Sequence, residues 1–236
     1  MKIKRSRLEG AFTLVEFFIC VCVVVVLMTL MLPALRLRHR GSRINCTNNL
    51  KQLGLGFRQW AIDHGDKFPM EASVNDGGTM ELVGSGVVYP HFRVMSNELN
   101  TPKILVCPED TKAGNEMGKL IAAHVLAQGT NRGYSPPFFP TNLPVSYFVG
   151  VDANTNQRAM FLSGDANLAV GGKPAKSGLL SLWTNSPVTW AKPLRPYHGE
   201  GGNIVLTDGQ VYQGGNVRLR ELLTESGVAT NRLAIP

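Results

Sequence analysis

Between Phe12 and Leu35 the chain reads FTLVEFFICVCVVVVLMTLMLPAL, 24 residues with a single ionisable side chain, Glu16. As a helix this run rises about 36 Å at 1.5 Å per residue, enough for a bilayer core of roughly 30 Å. A transmembrane helix over 12–35 is therefore expected, in contact with membrane lipid. A cleaved secretory signal does not fit, because its apolar core is about 7–15 residues long and ends in a small-x-small site. A carboxylate inside an apolar run is costly and points to a function. Basic residues flank both ends, at Lys2, Lys4, Arg5 and Arg7 and again at Arg36, Arg38, Arg40 and Arg43. They suit lipid headgroups, and their presence on both sides leaves orientation undecided. They also supply much of the net charge of +7. No basic patch interleaved with aromatics occurs elsewhere, so nucleic acid is not an expected partner.

Beyond Pro33 the helical pattern resumes. Cys46, Leu50, Leu53, Phe57 and Trp60 recur at four-three-four-three spacing, which lays an apolar stripe along one face. Gly54 and Gly56 each weaken a helix by about 1 kcal/mol relative to Ala, so packing must hold this part. The helix should stop near His64-Gly65, where Gly can take the left-handed closing conformation. The expected layout is an N-terminal segment 1–11, an apolar helix over 12–35, its amphipathic continuation over 36–65, and a globular remainder over 66–236.

In that remainder the pattern predicts strands over Lys103–Cys107, Ser146–Val149, Ala159–Ser163 and Leu179–Trp183. It also predicts a hairpin, Asn203–Thr207 with Gln210–Gln213, turning on Asp208-Gly209 as a type I′ turn. Helices are predicted over Asn115–Gln128 and Asn216–Ser226, the second capped by Asn216 and stopped by Gly227. The stretch from Pro136-Pro137 to Pro144 reads as loop. Several strands behind one long helix give an α+β fold, with an antiparallel sheet covering the second half of a kinked helix.

A short basic leader, then Gly10-Ala11, then Phe12-Thr13-Leu14-Val15-Glu16, resembles the processing site of type IV pilins and type II secretion pseudopilins. The resemblance implies that prepilin peptidase removes the leader and that the new N-terminus is methylated. Two cuts compete. Cleavage after Gly10 keeps the family's usual Gly but makes Glu16 the sixth mature residue. Cleavage after Ala11 makes Phe12 first and Glu16 fifth, as the family has it, and is the one we adopt. Pro33 then falls at the twenty-second mature position, where many pilins carry a helix-kinking proline.

The resemblance also implies a partner set: other pilin-like subunits in a filament, the peptidase, and an assembly platform. Glu16 would attract the amine of Phe12 in a neighbouring subunit. The location it implies is a bacterial inner membrane crossed once, with the bulk of the chain extracytoplasmic. In that compartment a disulfide between Cys46 and Cys107 becomes possible.

Three polar clusters remain. His198, followed after nine residues by Asp208-Gly209, resembles the C-terminal His-x9-Asp-Gly signature of one large pilin-like family, together with Cys107-Pro108-Glu109-Asp110 and Gly164-Asp165-Ala166-Asn167. A catalytic pairing of His198 with Asp208 is the weaker reading beside a hairpin turn. An oxygen-rich set, Asp152, Asn154, Asp165, Asn167 and Asp208, leaves calcium open as a cofactor without naming ligands. Asp63-His64-Gly65-Asp66 reads as a helix end before it reads as a metal site. No nucleophile elbow, phosphate loop, H-E-x-x-H or paired CxxC is present, so no catalytic residue or enzymatic activity is expected. The alternative to a filament subunit is an anchored binding module for protein or polysaccharide, with Trp183, Trp190 and Tyr197 as its candidate contacts.

Overall fold

The structure, a computed structural model, describes residues 13–110, 113–120, 143–191 and 201–236, with only the backbone over 30–43. The chain divides into two compact units, residues 1–41 and 42–236. A single helix, α1 (Leu14–Asp63), contributes to both.

Over Leu14–Met28 the residues of α1 are apolar apart from Glu16, and the described side chains are exposed. Transmembrane character over 12–35 is not supported: among the described residues no helix is long and apolar enough to cross a membrane. Past Pro33 the same helix takes in Arg36, Arg38, Arg40 and Arg43.

The second unit is α+β. Short helices follow α1: α2 (Tyr89–Arg93), α3 (Ser96–Leu99) and α4, over 113–120. Then come β1 (Tyr147–Gly150), β2 (Phe161–Asp165), β3 (Leu168–Val170), β4 (Lys173–Pro174), β5 (Gly178–Trp183), β6 (Val188–Trp190), β7 (Gly201–Leu206) and β8 (Val211–Gly215), followed by α5 (Asn216–Glu225) and β9 (Thr230–Ile235). Six strands form an antiparallel sheet in the order β5-β9-β1-β2-β7-β8, and β4-β3-β6 form a second, smaller one.

Both faces are covered at the centre of the larger sheet, where β1 and β2 are buried at every position. Side chains alternate between two cores, as the period of a strand requires. Tyr147, Val149, Leu162, Val205 and Ala234 pack with the α1 stripe of Cys46, Leu50, Leu53, Phe57 and Trp60. Phe148, Phe161, Ile204, Leu206, Leu233 and Ile235 pack on the opposite side with Leu219, Leu222 and Leu223 of α5 and Trp190 of β6. Burying each large side chain of the stripe contributes about 1.5–3 kcal/mol. That outweighs the propensity lost at Gly54 and Gly56, and those glycines are themselves contact points. A Cβ on Gly54 would meet Val205 Cγ2 at 2.9 Å, and one on Gly56 would meet Leu99 Cδ2 at 2.7 Å.

Local chemistry departs from the predicted pattern in three places. Lys103–Cys107 is not a strand: Pro102 opens a 3₁₀ helix, Pro102–Leu105, whose start is capped by Thr101 Oγ1 accepting from the Lys103 N–H. Pro fixes its own φ and lacks the donor that a ladder needs. The β7–β8 turn is not type I′, because only Gly209 (φ 84°) has positive φ while Asp208 does not. Leu206 accepts from the Gly209 N–H and donates to Gln210 O, which makes a type I turn closed by a left-handed Gly. The residue capping α5 is Gly215, and Asn216 instead accepts from the Trp190 N–H, tying the helix start to β6. Where α1 ends, Gly65 (φ 67°) takes the left-handed conformation and Asp66 N–H reaches back to Ala61 O.

Candidate assembly interface

The first turn of α1 is closed by its own residues. Thr13 donates from its backbone N–H and its hydroxyl to Glu16 Oε2, at 2.8 and 2.9 Å, and Thr13 Oγ1 accepts from the Glu16 N–H at 3.3 Å. This reciprocal Thr-x-x-Glu arrangement satisfies donors that a helix N-terminus otherwise leaves open. The carboxylate also lies where the helix dipole favours negative charge. The T-x-x-E spacing was available in the sequence as a capping signal, and the strength of the processing motif at the same residues obscured it. Gly10, Ala11 and Phe12 lie outside the described residues.

From this cap onward the side chains face outward. Leu14 is 84 % exposed and Phe18 66 %, and Val15, Phe17, Ile19 and Val21 through Met28 belong to the same exposed set, Cys22 included. Pro33 lies inside the helical run. From Cys46 the stripe is buried, with Cys46, Leu50, Leu53 and Phe57 fully so. Among the described side chains of α1, those of Leu14–Met28 are exposed and the stripe from Cys46 is held in a core.

What holds the second end is a polar and covalent clamp. Cys46 is disulfide-bonded to Cys107, with Cα atoms 5.4 Å apart. Asn49 Nδ2 donates to Val106 O at 3.1 Å. Thr47 Oγ1 donates to Asn203 Oδ1 at 3.1 Å, and Asn203 in turn donates from N and Nδ2 to Asp165 Oδ2 at 2.7 and 2.8 Å. About two and a half turns beyond Asn49, Arg58 Nη2 donates to Thr207 O at 3.0 Å, beside the Asp208-Gly209 turn. The segments Cys107–Asp110, Gly164–Asn167 and Asp208-Gly209, far apart in sequence, are thus gathered around one stretch of α1. Asp110 is a structural member of this set: buried, it accepts from Ser146 Oγ and from the Ala113 N–H at the start of α4.

Other predicted residues serve local structure. Asp208 Oδ1 accepts from the Gln210 N–H within its turn, and His198 lies outside the described residues. Members of the oxygen-rich set are engaged separately. Asp152 pairs with Arg232 (Nε to Oδ1 2.9 Å), whose guanidinium is thereby held above its ordinary pKa. Asn154 accepts from the Gln157 N–H, and Asn167 donates to Gly201 O. His64 stacks on Trp60 with centroids 3.6 Å apart and has Nδ1 2.8 Å from Trp60 O, which finishes the helix. Trp190 is buried, Trp183 is 56 % exposed on the edge strand β5, and Tyr197 lies outside the described residues.

Sequence reasoning missed β9, which enters between β5 and β1, and the β3–β4–β6 sheet, whose strands are only two or three residues long. No family model, curated protein or solved structure matches the chain.

Proposed function

We propose that this chain is a pilin-like structural subunit of a type II secretion pseudopilus or type IV pilus-like filament, cut by prepilin peptidase at the Ala11–Phe12 bond. The observation that carries the reading is the contrast along α1 between an all-apolar, exposed start and a stripe buried from Cys46 onward. A helix apolar on every face needs cover, and copies of the same segment packed side by side would cover one another. Such packing also gives Glu16 a purpose beyond its cap, because the Phe12 amine of a neighbouring copy supplies the counter-charge that a covered carboxylate requires. The Cys46–Cys107 disulfide supports an extracytoplasmic place for the second unit, since such bonds persist in oxidising compartments. The Gly10–Glu16 motif supports the processing step.

Mass spectrometry of the mature N-terminus, with electron microscopy of sheared surface fractions, tests the proposal. A methylated Phe12 and filaments containing the chain are the expected result. An uncut leader on a chain that remains monomeric overturns it. Exposed Trp183 on an edge strand favours the second reading, a binding module with the helix as an anchor, and blocking the cut separates the two. A binding module tolerates the block, whereas a filament subunit loses its assembly.

A further inference from the structure

Beyond assembly, the clamp contains a set of groups with a chemistry of its own. Cys46 on α1, Cys107 after the 3₁₀ helix and Asp165 at the end of β2 are all fully buried. Their sulfurs and a carboxylate oxygen lie within 4.8 Å of one another. Three chain segments separated by about sixty residues each deliver one ligand-grade atom to a single point. Asp165 is held in place by both donors of Asn203, and Asn203 is oriented in turn by Thr47. Metal-ligating side chains are commonly fixed by such outer partners.

We infer that, with the disulfide reduced, Cys46, Cys107 and Asp165 form a binding site for a thiophilic divalent cation of the zinc class. Tetrahedral coordination with Zn–S of about 2.3 Å sets ligand atoms roughly 3.8 Å apart, inside the 4.8 Å that bounds this set, and the two sulfurs, bonded in the disulfide, must move apart to that distance on reduction. A dithiol gives the disulfide two electrons and two protons and is itself oxidised to a disulfide; a phosphine gives two electrons and becomes the phosphine oxide, with water supplying its oxygen and the two thiol protons. Cation entry then displaces both thiol protons, so two thiolates and one carboxylate hold a dication, with water completing the shell. Net charge at the site becomes −1, against −1 for the carboxylate beside a neutral disulfide, so the metal adds no buried charge. The disulfide and the cation are alternative occupants of the same two sulfurs. A chain that has not yet been oxidised would be held by the metal where the mature chain is held by the covalent bond.

The test uses the full chain in mild detergent, in a Cys20→Ser/Cys22→Ser background so that the two exposed thiols contribute nothing. After phosphine reduction under argon, Co²⁺ is titrated as the probe. The expected result is a thiolate-to-cobalt charge-transfer band saturating at one equivalent, displaced by Zn²⁺ and abolished by reoxidation. Asp165→Ser should weaken Co²⁺ binding by more than about tenfold, and Cys107→Ser should eliminate the band. If reduction unfolds the chain, Co²⁺ should restore its circular dichroism in the parent and fail to do so in Asp165→Ser. A reduced chain that gives no charge-transfer band, or a band unaffected by Asp165→Ser, or no metal-driven refolding, overturns the proposal.

Discussion

Asn49 on α1 donates to the carbonyl of Val106 at 3.1 Å, one residue before the Cys107 that is bonded to Cys46. The hydrogen bond and the disulfide therefore pin the same turn of helix to the same loop, three residues apart on one side and one on the other. The covalent link closes a long loop, with a sequence separation of 61. Loop entropy alone gives it about 4 kcal/mol of stabilisation. Cys46→Ala/Cys107→Ala should lower the unfolding free energy by that order, with a steeper denaturant slope because the unfolded chain without the crosslink is more expanded. Asn49→Ala in the oxidised protein should cost about 1–2 kcal/mol, since it strips the Val106 carbonyl of its partner. Equilibrium unfolding with and without reductant checks both.

On the proposed function Glu16 has a second role besides its observed cap, and one substitution separates the two. Glutamine at this position can still accept from Thr13 and close the capping box, but it carries no charge. Glu16→Ala should lose both helix-start order and filaments. Glu16→Gln should keep the helix start, read by amide exchange at residues 14–17, and still fail to assemble. Normal filaments from Glu16→Gln would show that the cap, and not attraction to a neighbouring amine, is what assembly requires.

The second half of α1 was legible because burial leaves a period. Cys46, Leu50, Leu53, Phe57 and Trp60 announce their face, and all five are in the core. Of the large sheet's strands, β1, β2, β5, β7 and β8 lie within two residues of their predicted places. What escaped was set by tertiary partners. β9 reads TNRLAI, without clean alternation, and becomes a strand because β5 and β1 flank it on both sides. The gathering of Asp165, Asn203, Cys107 and the Asp208-Gly209 turn around α1 has no local signal at all. Nothing in their spacing says that they meet. The transmembrane expectation is not met: among the described residues no helix is long and apolar enough to cross a membrane.

Gly54 should be intolerant of the substitution that helix propensity recommends. Alanine would gain about 1 kcal/mol of propensity on α1. Its Cβ would lie 2.9 Å from Val205 Cγ2, and a β-branched side chain in a central strand has little freedom to retreat. Overpacking of this kind costs about 1–3 kcal/mol. Gly54→Ala should therefore be net destabilising by up to about 2 kcal/mol in urea titrations. Gly54→Ala combined with Val205→Ala should relieve the clash but leave the cost of the lost Val205 methyl groups. A stabilised single variant would mean that α1 stands further from the β7–β8 hairpin than described.

The turn on Gly209 offers an independent check of that hairpin. Gly209 has φ 84°, and an L-residue there is strained by about 1–2 kcal/mol. Asp208 has no such requirement in a type I turn, so Asp208→Ala should cost only its hydrogen bond to Gln210. A type I′ turn would make both positions sensitive. Thermal melts of Gly209→Ala and Asp208→Ala should therefore be unequal, with the glycine variant melting lower.

His91 makes stability depend on pH in a definite direction. It is fully buried on α2, with Nδ1 2.7 Å from Thr79 Oγ1, and Thr79 itself donates to Pro69 O. Burial pushes its pKa down from 6.5 to about 4. The folded chain therefore stays unprotonated at His91 where the unfolded chain already binds a proton. Below pH 6.5 the unfolded state gains that proton first, so stability falls as pH falls, and the loss levels off near pH 4. At about 1.4 kcal/mol per pKa unit, the full effect is of the order of 3 kcal/mol. Urea midpoints measured from pH 7.5 to 4 should decline across this window in the native protein. His91→Leu, which keeps the volume and removes the proton site, should flatten that decline while lowering stability at pH 7.5 through the lost Thr79 contact. An equal slope in both proteins would place the acid sensitivity elsewhere in the chain.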